Sequence, residues 1–160
     1  IQDDISENVE KIILAHGLEP SCINLEITET ASDAFTQIVD ENVLKMHDFG
    51  IDFFFFFFGT GYSSMNRILA LPLRIIKLDK TIVQPAMESE EAMTLLECSV
   101  DMVKKIGMEI VAEGVETREQ ADRIIELGCD YIQGYYFSKP VPKETFLKVI
   151  REAAMPEAGK

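Results

Sequence analysis

Positive charge is scarce in this chain: 15 Lys and Arg stand against 28 Asp and Glu in 160 residues, a formal net charge of −13. That imbalance argues against a DNA or RNA polymer, or an anionic membrane surface, as a broad partner, because like charges repel. A phosphate ligand can still be held locally where divalent cations mediate the contact. Long apolar runs are missing as well. No stretch reaches the roughly 18 to 20 residues of a membrane-spanning helix, and no N-terminal signal pattern is visible. The segment is therefore expected to make no membrane contact. Only three cysteines occur, Cys22, Cys98 and Cys129, without CxxC spacing. They predict reduced thiols and a cytoplasmic location rather than a disulfide framework. His16 and His47 stand singly in helical stretches and read as solvated or core side chains, not as metal ligands.

Apolar spacing predicts a helix over residues 3–16 through Ile5, Val9, Ile12 and Ile13, stopped by Gly17. CINLEIT (22–28) reads as a strand, and residues 33–49 as a helix closed by Gly50. The run GIDFFFFFF then reads as a strand from Ile51 to Phe57 with both faces buried. A strand rarely carries six identical aromatics, because small and large side chains normally interdigitate. A short helix (64–70), a strand (73–78) and a helical region (80–106, interrupted near 84–88) follow. EIVA (109–112) is a strand, Thr117 and Gln120 form a capping box, DYIQ (130–133) is a strand, and Pro142 opens a last helix. Helix and strand alternate with five strands, the rhythm of βα units in a parallel α/β sheet. Alternation alone leaves a doubly wound sheet and part of a barrel both open.

Polar residues recur where these strands end: Glu26 and Glu29, Lys77 and Asp79, Glu113 and Glu116, and Gln133. In a parallel βα array these ends share one rim, where such folds keep their sites. Blander roles exist for each. Lys77 and Asp79 could pair with one another, Glu29 and Glu116 could be helix N-terminal acids, and Gln133 could be a turn residue. Tyr135, Tyr136 and Phe137 read as core or rim packing.

The runs LEITET, FGTGYSS, IIKLDK, VAEGVET and CDYIQGYYFSKP, in this order and spacing, resemble the EAL domain. The resemblance covers nearly the whole chain. It implies a TIM-like (β/α)₈ barrel that hydrolyses cyclic di-GMP to linear pGpG with two divalent cations, Mg²⁺ or Mn²⁺. It implies Glu26, Asp79 and Glu113 as metal ligands, and Lys77, beside the attacking water, with Glu113 as catalytic residues. Glu29, Glu116, Gln133 and the loop residues Gly59, Thr60, Gly61, Tyr62 and Ser63 would support the site. The loop over 58–64 is also the expected homodimer contact.

Two departures fall on that chemistry. Phe56 and Phe57 stand at the two aspartate positions of the family's Asp-Asp-Phe-Gly-Thr-Gly motif, and a phenyl ring offers a hard cation no lone pair. The resemblance also begins late. A whole barrel takes eight strands and roughly 250 residues, and the expected N-terminal part would carry the Glu-Ala-Leu glutamate and an asparagine ligand. The chain thus reads as the C-terminal part of the domain over residues 1–153, with a tail at 154–160, and as inactive in hydrolysis. The alternative is a degenerate domain that binds cyclic di-GMP or a protein partner.

Overall fold

The computed structural model describes residues 5–27, 36–57 and 68–154. Helix α1 (Ile5–Ala15) buries Ile13 and half-buries Val9, and Gly17 follows at φ 61°. Ile5 and Ile12, expected on the same buried stripe, are exposed. The helix instead seats on α2 (Thr36–Asp48) through a polar contact, the Ser6 N–H donating to Asn42 Oδ1 at 3.3 Å. α2 contributes Val43 and Met46 to the core.

The five strands are β1 (Asn24–Ile27), β2 (Asp52–Phe57), β3 (Ile75–Leu78), β4 (Glu109–Glu113) and β5 (Tyr131–Gln133). Their order in the sheet is the order of the sequence, and all four pairings are parallel. A doubly wound sheet reverses its order at a switch point. Here no reversal occurs, so right-handed crossovers carry the helices to one face only. That decides between the two arrangements: the sheet is an arc of a barrel.

The helical region after β3 is broken as expected. Asp79 caps α3 (Lys80–Ala86) by accepting the Thr81 N–H at 2.8 Å, and Ser89 caps α4 (Glu90–Lys105). α5 (Arg118–Glu126) starts at the Thr117–Gln120 capping box, and α6 is Lys143–Ala154. Core packing lies between the sheet and α2 to α5. Phe53, Phe55, Ile76, Leu78, Ile110 and Ala112 face Val83, Leu96, Val100, Val103, Ala121 and Ile124. Burying one such side chain fully is worth about 1.5–3 kcal/mol.

The phenylalanine strand departs from expectation. Phe53 and Phe55 are buried under the helices, but Phe54 and Phe56 are only half-buried. Alternation sends them to the concave face, which no helix among the described residues covers. At the far end, Tyr135, Tyr136 and Phe137 are exposed rather than packed, and so are Phe146, Leu147, Val149 and Ile150 of α6. Among the described residues no helix is long and apolar enough to cross a membrane. Residues 28–35, 58–67 and those after 154 lie outside the described residues, and with them Glu29, Gly59 to Ser63 and most of the helix expected over 64–70; the Phe57 side chain lies outside them as well.

Candidate functional site at the strand ends

The concave face carries two layers of side chains. The lower one, Asn24, Phe54, Ile75, Val111 and Tyr131, lines an open cavity of about 290 Å³ together with Arg74. One pleat period further along the strands stand Glu26, Phe56, Lys77, Glu113 and Gln133. Register explains why these meet: Phe56 is directly beside Lys77, Lys77 beside Val111, and Glu113 beside Gln133. From β3 the long lysine side chain reaches past β2 to Glu26 of β1 on one side and to Glu113 of the adjacent β4 on the other.

Lys77 is the centre of this layer. It is 6% exposed, it donates to Glu26 of β1, and its Nζ lies 2.6 Å from Glu113 Oε1 of β4. The Phe56 ring centroid is 5.1 Å from the same ammonium, within the range of a cation–π attraction. Burial opposes the charge of Lys77. Hydrogen bonds and Coulomb attraction from Glu113 and Glu26 outweigh it, so its pKa is raised.

Asp79 is buried too, but it does not pair with Lys77. It lies past the end of β3, and one carboxylate oxygen is spent on the α3 N-terminus. Glu116 receives a 3.4 Å hydrogen bond from Gln84 Nε2, which also donates to Gly114 O at 3.2 Å. Gln133 is exposed, and its carbonyl accepts the Val115 N–H at 3.3 Å. So Glu26, Lys77 and Glu113 are brought together, while Asp79, Glu116 and Gln133 stand around them with other partners.

Sequence reasoning missed the residues that hold these loops. Gly114 sits at φ +75°, and a Cβ there would come within 2.3 Å of Lys80 Cβ. Gly134 is crossed still more closely: its Cβ would lie 2.0 Å from Val115 O. The strand-end loops of β4 and β5 are therefore pressed together, and only glycine leaves the room. The available signal was a glycine following each polar strand end. At the opposite rim, Arg74 binds Asp52 (2.6 Å) and Glu109 (3.2 Å), and Tyr131 OH donates to Glu109 Oε1 at 3.4 Å.

An arc of parallel βα units with ionisable side chains gathered at the C-terminal strand ends is part of a (β/α) barrel, a fold that keeps its sites on that rim. The EAL domain profile matches residues 2–140, and the chain belongs to that family. It is 36% identical over 143 residues to the cyclic di-GMP phosphodiesterase RocR of Pseudomonas aeruginosa, covering 89% of this chain and 36% of that protein. To the cyclic di-GMP phosphodiesterase PdeL of Escherichia coli K12 it is 37% identical over 147 residues, covering 84% and 41%. The solved structure of the PaMucR phosphodiesterase in complex with cyclic di-GMP superposes with a TM-score of 0.82 at 29% identity, covering 89% of this chain and 58% of that one. The chain thus spans about two-fifths or less of these two curated relatives.

Divalent ions are the cofactor that the family implies, and the described residues do not fit a pair of them. The two nearest carboxylates, Glu26 and Glu113, share the Lys77 ammonium, and Asp79 is engaged at a helix cap. Phe56 presents a ring where the resemblance expects an aspartate. Among the described residues no three His, Cys, Asp or Glu side chains are grouped to hold a metal ion.

Proposed function

We propose that this chain is the C-terminal part of a cyclic di-GMP phosphodiesterase domain, over residues 1–153, and that as it stands it does not hydrolyse the dinucleotide. Family membership and the phosphodiesterase relatives support the lineage. The loss of turnover rests on one observation: Phe56, not a carboxylate, is the neighbour of Lys77 in the register. In this reading Glu26, Asp79 and Glu113 remain as the acidic side of the rim and Lys77 as its cation. Glu116 and Gln133 border the approach of the dinucleotide. Glu29 and the loop Gly59–Ser63 order that approach and supply a contact to a second copy in a cytoplasmic dimer.

A second reading, a module that binds cyclic di-GMP or a protein partner without cleavage, is favoured by the exposed Tyr135, Phe137 and Phe146 beside β5. Chromatography of cyclic di-GMP incubated with the chain and Mg²⁺ or Mn²⁺ tests both. No linear product is expected. Formation of pGpG by the unaltered chain overturns the loss of turnover, and saturable binding without product favours the second reading.

A further inference from the structure

We infer that the Lys77 ammonium is itself the resident cation of this rim, held by the Phe56 ring, and that a divalent ion gains a place between Glu26 and Glu113 only when that ammonium is withdrawn. The inference rests on the reading above, in which the rim holds no pair of divalent ions, and it says what stands there instead.

Three observations carry it. Lys77 sits on the central strand, and its ammonium bonds to carboxylates from strands on either side, joining β1 to β4 across β2 and β3. Oxygen ligands bind Mg²⁺ at about 2.0–2.1 Å. An ion that close to Glu113 Oε1 would lie against an ammonium already 2.6 Å from the same oxygen. Repulsion between the two cations would be weakly screened, because the lysine side chain is 7% exposed.

Phe56 sharpens the preference. An aromatic face attracts an ammonium directly, but it cannot replace a water or carboxylate in the coordination shell of a hard ion. Since Phe56 is paired laterally with Lys77 in the sheet, the ring reaches the ammonium without any backbone movement. Two carboxylates and one ammonium leave a single negative charge that the half-exposed Glu26 shares with solvent. The rim is thereby joined without any added ion.

The test is thermal unfolding of the whole chain with Mn²⁺ or with EDTA, combined with electron paramagnetic resonance of free Mn²⁺. The unaltered chain is expected to unfold at the same temperature in both, and to bind no more Mn²⁺ than its Glu113→Gln variant. Lys77→Met is expected to unfold earlier in EDTA and to recover by roughly 5–10 °C at a hundredfold excess of Mn²⁺ over its dissociation constant. Adding Glu113→Gln to Lys77→Met should abolish that recovery. Phe56→Leu keeps the lysine and loses the ring, and should show a smaller Mn²⁺ response that also depends on Glu113.

A folded Lys77→Met with no Mn²⁺ response overturns the inference and leaves the proposed function standing. If Lys77→Met does not fold, an unresponsive Phe56→Leu overturns it in the same way. Glu113-dependent Mn²⁺ stabilisation of the unaltered chain overturns this inference, and hydrolysis of cyclic di-GMP by that chain overturns the proposed function as well.

Discussion

The Lys77 ammonium lies 2.6 Å from Glu113 Oε1, and these two residues are on adjacent strands separated by 36 positions in the chain. Three residues earlier in the sequence, Arg74 makes a comparable bridge at the other rim, between Asp52 and Glu109. The two clamps differ in burial: the lysine side chain is 7% exposed and the arginine 57%. That difference sets how much each contributes.

Lys77→Met should lower stability by about 2–3 kcal/mol, below the usual cost of breaking a buried pair because Glu26 remains half-exposed to water. Arg74→Gln should change little, and 0.5 M salt should erase the change, since exposed pairs are screened. Urea titrations at two salt concentrations check the contrast. A salt-insensitive loss at Arg74 would show that the lower clamp is not a surface pair.

Gly134→Ala should cost at least about 3 kcal/mol, because a Cβ 2.0 Å from Val115 O forces the β4 and β5 loops apart. Gly114→Ala should be similarly damaging, through positive φ and the approach of Lys80. Hydrogen exchange of the Val115 and Tyr136 amides, which bond across these loops, is the local readout. Unchanged protection in Gly134→Ala would refute the close approach.

The two faces of the phenylalanine strand should respond differently. Phe55→Ala removes a ring with 0% exposure and should cost about 3–5 kcal/mol. Phe54→Ala, on the half-covered concave face, should cost about 1–2 kcal/mol. Equal losses would mean that both faces are buried after all.

Acid sensitivity is expected at Asp130. Its carboxylate accepts the Ile110 N–H at 2.8 Å and pairs with Lys104 at 2.5 Å. Burial works against the charge, but those bonds prevail and hold the pKa below the ordinary value of 3.8. A group depressed on folding stabilises the folded chain above its unfolded pKa, and that contribution disappears as pH falls through the lower folded value. Stability should therefore drop below about pH 4, and Asp130→Asn should flatten part of that drop. Denaturant unfolding from pH 6 to 2 measures it.

Much of the element order was legible from local signals. The Thr117–Gln120 capping box, the stops at Gly17 and Gly50 and the interruption between α3 and α4 all occur within a few residues of their causes. The exposure of Ile5 and Ile12 was not legible, because their periodicity matches a buried stripe and only the position of α2 shows which side is covered. Nor was the partner of Lys77. Asp79 is nearer in sequence, yet it turns away to cap α3.

What the amino-acid order determined alone was the alternation of helix and strand and the placing of polar groups at strand ends, because propensity, pleat and capping act over a few residues. Tertiary structure decided the rest. Sequential parallel pairing put the helices on one side and left Phe54 and Phe56 on the open face. The register then brought Glu26, Phe56 and Glu113 around one ammonium. Those contacts join residues tens of positions apart, and no local preference specifies which of several acids a buried lysine will meet.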